Sequence, residues 1–355
     1  MKAIITPNYP IYFNEECYNF LQDTVTPENY SVVFIIADSN TAQMCLPVFL
    51  EQFATEVTIE IIEVEPGEHN KNIETCIQVW YALTELGADR RSLIINLGGG
   101  LVTDMGGFIA STFKRGIDFI NVPTSLLAMV DASVGGKTGI DLGTLKNQVG
   151  VINNPIAVLT DILFLETLPA NQLRSGFAEM FKHGLIYSSS YWDEVVSLSN
   201  LVTGDLLQSI HTSITIKNDI VQQDPTEKNV RRLLNFGHTL GHAIESYFMD
   251  NENKHPVLHG EAVAAGMVME AYIAMEKRLL DEEEYLKIKS VLQNVFDVID
   301  FTETDIENII ELLIHDKKNE FGNIMFVLLN GIGKAIINQP VENPLIYNAF
   351  QDYLN

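Results

Sequence analysis

Four segments in the first third of the chain are rich in β-branched residues and bounded by turn formers: SVVFIIAD (Ser31 to Asp38), VTIEIIEV (Val57 to Val64), SLIINLGGG (Ser92 to Gly100) and IDFINVP (Ile117 to Pro123). Each predicts a strand. Between them, NIETCIQVWYALTELG and LVTDMGGFIASTFKR repeat apolar positions at helical spacing. Strand–helix–strand alternation predicts a parallel sheet covered by helices, with ligands at the carboxyl ends of the strands. After TLPANQ, near Pro169, the pattern turns almost wholly helical: Gln172 to Ile186, Thr203 to Gln223, Gly260 to Leu280, Asp281 to Phe296 and Asp305 to His315. The expected fold class is an α/β N-terminal domain with a Rossmann-like parallel sheet over residues 1–168, followed by a mainly α-helical C-terminal domain over residues 169–355. Within the helical half, IMFVLLNGIGKAIIN places Asn330-Gly331 between apolar runs and predicts a β-hairpin.

Composition narrows the classes. A chain of 355 residues, 46% of them hydrophobic, can build one large or two medium cores. The most apolar helical stretch is punctuated by Glu261, Glu270 and Glu276, so no membrane span is expected. Pro7 and Pro10 break the N-terminal apolar run, which argues against a signal peptide. Cys17, Cys45 and Cys76 have no metal or redox spacing and read as reduced core thiols of a cytoplasmic protein. The net charge of −25 argues against nucleic acid or an anionic membrane as partner. Residues 114–232 nevertheless hold 10 Lys+Arg against 12 Asp+Glu. That relatively basic middle suits a small anionic ligand.

Glycines mark the first chemistry. Gly98 to Gly100 end a predicted strand and open a helix, where backbone N–H groups can approach a pyrophosphate. The match to G-x-G-x-x-G is imperfect, because Thr103 stands at the third glycine position. GGKTG at Gly135 to Gly139 imitates the end of an ATPase P-loop, but Asp131 occupies the position of its first glycine, so a P-loop is rejected. Asp38 closes an earlier strand, where a carboxylate commonly accepts ribose hydroxyls. DASVGGKTGIDLGTLKNQVG brings Asp131, Lys137, Lys146 and Asn147 into what reads as one glycine-rich loop, with ammonium and amide donors for a phosphate or carboxylate.

The second cluster lies in RRLLNFGHTLGHAIES and HPVLHGEAVAAGM, which hold four of the eight histidines: His238, His242, His255 and His259. His238 and His242 are spaced i,i+4 and share a helical face; His259 sits at a helix start. Taken singly these would be capping or surface histidines, but together they offer the donors of a metal site. FAEMFKHG supplies a further candidate ligand in Glu179, with Lys182 one turn along the same face. Glu179 with two of the histidines would form a His2Glu set with an open position.

Taken in order, GEHNK, GGGLVTDMGGFIASTFKRG, VPTSLLAMVDASVGGKTG, LKNQVG, FLETLP, GFAEMFKHGLI, RRLLNFGHTLGHAIE, LHGEAVA and HDKKNEFG resemble the 3-dehydroquinate synthase family along essentially the whole chain. The resemblance implies an N-terminal NAD-binding domain, a helical domain holding a divalent metal (zinc or cobalt), a sugar-phosphate substrate and a homodimer. It implies metal ligands Glu179, His238 and His259, with His242 facing substrate. For NAD it implies Asp38, Asn40, Glu68, Lys71, Gly99, Gly100, Leu101, Asp104, Thr124, Ser125, Phe164 and Thr167, with Lys137 and Lys146 nearby. For substrate it implies Asp131, Lys137, Lys146, Asn147, Lys182, Lys217, Glu227, Arg231, Asn235, His242 and the Lys317-Lys318 pair, with Arg115 reaching a neighbouring subunit's substrate. Ser125 stands where the family usually has threonine, and GEHNK replaces the commoner GEQYK. The implied activity, a step of the shikimate pathway, converts 3-deoxy-D-arabino-heptulosonate 7-phosphate to 3-dehydroquinate and phosphate by transient NAD-dependent oxidation, phosphate elimination, reduction and aldol closure. The alternatives are a sister cyclase of the valiolone or deoxy-inosose type and a glycerol-dehydrogenase-like oxidoreductase.

Overall fold

The computed structural model describes residues 1–143, 145–198, 203–251, 253–314 and 324–355. The chain divides into two compact units: Met1–Leu173 with Val202–Asn218, and Arg174–Leu201 with Asp219–Asn355. The division is discontinuous in sequence, so no single boundary describes it.

The elements up to Leu168 are β1 (Ile4–Ile5), β2 (Pro10–Phe13), α1 (Glu15–Thr24), β3 (Val32–Asp38), α2 (Ser39–Met44), α3 (Leu46–Gln52), β4 (Thr58–Val64), α4 (Ile73–Glu85), β5 (Leu93–Gly98), α5 (Gly100–Thr112), β6 (Asp118–Pro123), β7 (Lys137–Leu142), β8 (Leu145–Ile152) and β9 (Ala157–Thr160). Seven of the strands form one sheet in the order β1-β2-β9-β6-β5-β3-β4. Every pairing is parallel except β1 with β2. β5 is buried along its whole length. Parallel strands covered on both faces read as unbroken apolar runs for this reason. On one face Phe34, Ile36 and Ile94 meet Cys76, Val79 and Leu83 of α4 and Val102, Met105 and Ile109 of α5.

After β3 the chain builds β4 on one side and then returns to place β5 on the other. This reversal is a topological switch point, and it opens a crevice beyond the carboxyl ends of β3 and β5. Asp38 and the turn at Gly99 lie at those two ends.

The four predicted strands are present, each within a residue or two of its expected bounds. The segment read as one glycine-rich loop is instead largely an antiparallel hairpin, β7 with β8, turning at Gly143. Its apolar residues alternate with glycines and polar groups too irregularly to show period 2. Gly139 pairs with Gly150, which lets the two backbones close. Cys17, Cys45 and Cys76 are free and buried.

The remaining elements are α6 (Ala170–Tyr187), α7 (Ser189–Ser197), α8 (Thr203–Gln223), α9 (His238–Asp250), α10 (His259–Glu276), α11 (Glu282–Val295), α12 (Glu303–Ile314), β10 (Ile324–Leu329), β11 (Ala335–Val341) and α13 (Asn343–Leu354). The five helical segments expected in this half are present, the last as far as Ile314 because His315 lies outside the described residues; α9 carries the i,i+4 histidines, and α7 and α13 are additional. β10 and β11 form the predicted hairpin, joined by the loop 330–334 rather than by a two-residue turn. α10 is apolar on all sides and almost entirely buried, as the central helix of a helical unit must be. No described helix is long and apolar enough to cross a membrane.

Asp305, at the start of α12, ties down the segment between α9 and α10. Its carboxylate accepts from Lys254 Nζ at 2.6 Å, Tyr247 OH at 2.7 Å and Thr302 N at 2.8 Å. Burial opposes ionisation, but the Lys254 bond and the two neutral donors outweigh it and hold Asp305 below the usual carboxylate range. A depressed folded-state pKa stabilises the fold above the unfolded value and loses that contribution as pH falls through it. Asp305→Asn should therefore cost about 1–2 kcal/mol at pH 7. In thermal melts across a pH series, the gap between wild type and variant should narrow below about pH 4.

Candidate metal centre and nucleotide crevice

In the second unit, Glu179 and Lys182 lie in the middle of α6, one turn apart, at 0% and 1% exposure. The Glu–Lys spacing that could mark a solvated surface pair is a buried ion pair in close contact. Ser175, one turn before Glu179, accepts the N–H of Gly260 through Oγ at 2.9 Å. A Cβ on Gly260 would lie 2.0 Å from Ser175 O, so only glycine allows the start of α10 to approach α6 this closely. His259, the residue before Gly260, is thereby delivered to Glu179.

Glu179 Oε1 lies 3.5 Å from His238 Nε2 and 3.6 Å from His259 Nε2. These separations exceed a hydrogen bond. Ligand atoms about 2.1 Å from a tetrahedral zinc are about 3.4 Å from one another. The donors Glu179, His238 and His259 therefore fit a divalent metal. One ligand atom each from His238, His242 and His259 also falls within 4.8 Å of the others, so His242 belongs to the same cluster.

The outer nitrogens explain why the Nε2 atoms face inward. His238 Nδ1 meets Phe236 O at 3.1 Å, and a carbonyl can only accept, so Nδ1 carries the proton. His259 Nδ1 meets Glu245 Oε2 at 3.0 Å in the same way. A carboxylate behind a histidine fixes its tautomer and strengthens it as a ligand. Glu245 is not among the residues that the sequence singles out, although it follows His238 and His242 on one face of α9, seven and three residues on.

Glu179 and His238 carry the charges a ligand needs, whereas His259 would have to give up a proton to bind metal. Burial would raise Glu179, but the Lys182 ammonium, then His238 and His259, outweigh it and hold the carboxyl well below the usual range. Burial, reinforced by Lys182, pushes His238 down to about 3, leaving a neutral imidazole. Burial also opposes charge on His259, but Glu245 and then Glu179 push it up to about 10.

Beside this centre, a short 3-10 turn, Val230–Asn235, presents Arg231 and Asn235. Asp224 shapes it by accepting the N–H groups of Lys228, Asn229 and Arg231. Arg231 is buried, with Nη1 on Pro225 O at 2.8 Å, and Asn235 Nδ2 donates to Glu227 Oε1 at 2.8 Å. Lys317 and Lys318 lie outside the described residues.

In the first unit the expected nucleotide residues gather at the carboxyl ends of β3, β4, β5 and β6. Asp38 caps α2, its Oδ1 accepting from Asn40 N and Thr41 N. Gly99 and Gly100 open α5 beneath Leu101, and Thr124 N bonds Gly98 O at 3.0 Å across to β6. Ser125 Oγ would lie 3.4 Å from a Cβ on Gly99. Thr167 Oγ1 donates to Phe164 O at 3.3 Å, at the end of the 3-10 helix after β9. Glu68, Lys71, Asp104, Asp141, Lys146 and Asn147 form one charged network. Lys71 Nζ donates to Asp104 at 2.7 Å and Asn147 at 2.8 Å, while Lys146 Nζ donates to Glu68 at 2.9 Å. Burial opposes the charge on Lys71, but Asp104 and Glu68 outweigh it and raise it, so it stays an ammonium. Lys217 Nζ donates to Asp131 O and Oδ1, both at 2.6 Å. Lys137 and Arg115 are exposed, Arg115 beside an open groove it lines with Asp89, Arg90, Thr112 and Lys114.

The switch-point sheet unit and the helical unit together have the fold of the sugar-phosphate cyclases. The chain superposes on a 2-deoxy-scyllo-inosose synthase complexed with carbaglucose-6-phosphate, NAD+ and Co2+, with a TM-score of 0.87 and 28% identity over 99% of both chains. It shares its fold with 2-epi-5-epi-valiolone synthase from Streptomyces hygroscopicus, solved with NAD+ and Zn2+, at a TM-score of 0.83 and 24% identity over 100% of this chain and 99% of that one. Residues 61–175 match the family description 3-dehydroquinate synthase N-terminal, and residues 176–319 match 3-dehydroquinate synthase C-terminal. The 3-dehydroquinate synthase of Parabacteroides distasonis is 42% identical over 335 residues, 94% of each chain. The chain belongs to the 3-dehydroquinate synthase family and is an enzyme of that family.

Two substitutions separate ligand from support. Glu179→Gln should weaken zinc binding more than 100-fold, and Glu245→Gln by about 10- to 100-fold, as outer-shell losses usually do. Competition against a chromophoric chelator measures both. Equal affinity of Glu179→Gln and wild type would remove Glu179 from the ligand set.

Proposed function

We propose that this chain converts 3-deoxy-D-arabino-heptulosonate 7-phosphate to 3-dehydroquinate and inorganic phosphate. The observation that carries the reading is the buried Glu179–Lys182–His238 cluster with the half-buried His259, in a chain 42% identical to a 3-dehydroquinate synthase along nearly its whole length. When bound, NAD supplies a hydride acceptor that is regenerated within each turnover, and a divalent metal, zinc or cobalt, supplies charge stabilisation for a developing alkoxide.

The chain's own residues provide the rest. Glu179, His238 and His259 would hold the metal; the neutral His238 needs no proton removed to do so. Asp38, Asn40, Gly99, Gly100, Leu101, Thr124, Ser125, Phe164 and Thr167 would seat the dinucleotide at the switch point, its pyrophosphate against the N-terminus of α5. Glu68, Lys71 and Asp104 would brace that seat from the charged network.

Lys182, desolvated and in contact with Glu179, would donate to a substrate hydroxyl and stabilise negative charge there. His242 would share that hydroxyl face. Lys137, Asn147, Asn235 and a partner subunit's copy of Arg115 would orient the phosphate, and Lys146 and Arg231 would neutralise the carboxylate. Lys146 and Asn147 are engaged with Glu68 and Lys71 here, so serving substrate requires them to exchange partners. Asp131 with Lys217, and Glu227 with Asn235, would form the polar walls. The substrate's own phosphate would take the proton during elimination, which needs no dedicated protein base.

The reading of a homodimer is supported by the β7–β8 hairpin, which exposes Leu142, Leu145, Val149, Val151 and Ile152. Leu145, Val149 and Val151 share one side of β8 by strand alternation, and a row of exposed apolar side chains favours a surface that another chain covers.

The decisive assay follows phosphate release with substoichiometric NAD. Many turnovers per NAD, without accumulation of NADH, are expected; net NADH formation would instead identify a dehydrogenase. Phosphorylated sugars lacking the carboxylate should be poor substrates, which separates this reading from the sister cyclases. Lys182→Ala should lower kcat/KM at least 100-fold, about 3 kcal/mol of transition-state stabilisation. Val151→Lys should shift the sedimentation of a dimer toward the monomer, and unchanged mass would move the interface elsewhere.

A further inference from the structure

The helices that begin at His238 and His259 are held together by a carboxylate that none of the roles above uses. α9 starts from Gly237, whose φ of +78° lies in the left-handed region. α10 packs on this turn so closely that a Cβ on Gly266 would lie 2.1 Å from Gly237 O. One turn further along α10, Glu270 enters the same contact at 0% exposure. Its Oε2 accepts the N–H of Gly237 at 2.6 Å, and its Oε1 accepts the N–H of Leu240 at 3.3 Å.

Both donors belong to the start of α9, where the first N–H groups have no partner within the helix. Gly237 has no side chain to cap them. Glu270 is therefore a cap supplied by a different helix, and its charge sits at the positive end of the α9 dipole. The two N–H groups it takes flank His238 in sequence. One carboxylate on the helix of His259 thus sets where the helix of His238 begins.

We propose that Glu270 is a positioning residue for the metal ligand His238. It fixes the Gly237–His238 turn so that the imidazole, with Nδ1 on Phe236 O, presents Nε2 toward Glu179. The inference rests on the metal reading above. The Gly237 and Leu240 N–H groups both donate to it, so the isosteric Glu270→Gln would set its NH2 against one of them. That replaces one hydrogen bond with a repulsive contact and leaves no cavity.

The test uses the full-length enzyme stripped of metal and titrated with zinc against a chromophoric chelator, then with cobalt while the visible absorption of Co2+ is recorded. Glu270→Gln is expected to bind zinc at least 10-fold more weakly than wild type and to shift the Co2+ spectrum. A thermal melt of each apoprotein separates this from lost stability. Lower stability with unchanged zinc affinity and an unchanged Co2+ spectrum would make Glu270 a packing element only and overturn the inference. Should Glu270→Gln not fold, Glu270→Asp, which keeps the charge but shortens its reach, decides by the same two readouts. Wild type that takes up no metal would remove the metal reading and the inference with it. Wild type and variant binding equally well would remove the inference alone.

Discussion

The second unit depends on the buried negative charge of Glu179. A carboxylate with no access to water ionises only if nearby charge compensates its desolvation. Here Lys182, one turn along α6, is the first compensating charge, and two imidazoles converge on the opposite oxygen. Three separate elements must meet within a few ångströms to achieve this. The surrounding features follow from that demand: Ser175 and Gly260 dock α10 on α6, Glu245 holds His259 from behind, and Glu270 ties α10 to the start of α9.

The first unit is built on a different device, a turn that offers backbone donors rather than charged side chains. Its sheet reverses direction of growth after β4, and the reversal puts the ends of β3 and β5 at the switch point. The turn at Gly99 brings helix N–H groups there without a side chain in the way. Around it, Lys71 and Lys146 are paired with Glu68, Asp104 and Asp141, so at this turn the backbone N–H groups rather than the lysines are the donors on offer.

Much of this architecture is legible in the amino-acid sequence. The four strands, most of the later helices and the terminal hairpin follow from apolar periodicity, because burial imposes that periodicity locally. The histidine window and the Glu179–Lys182 spacing are legible because helical geometry places residues three and four apart on one face. The β7–β8 hairpin is not: its glycines serve close backbone approach, and in sequence they resemble a mobile loop. Glu245 and Glu270 stay hidden for a related reason. Glu270 lies on a helix apolar on every side, where a glutamate looks like solvated punctuation, and its partners are backbone groups that carry no sequence signal.

By itself, then, the sequence determined the elements, the donor types and, through the ordered resemblance, the family. Those quantities depend on neighbours within a few positions or on motifs in register. Only the tertiary structure decided which carboxylates are buried, which imidazole nitrogen faces inward, and that the helix of His259 caps the helix of His238. These depend on which distant segments exclude water from one another, and desolvation is a property of the packed chain rather than of any residue in it.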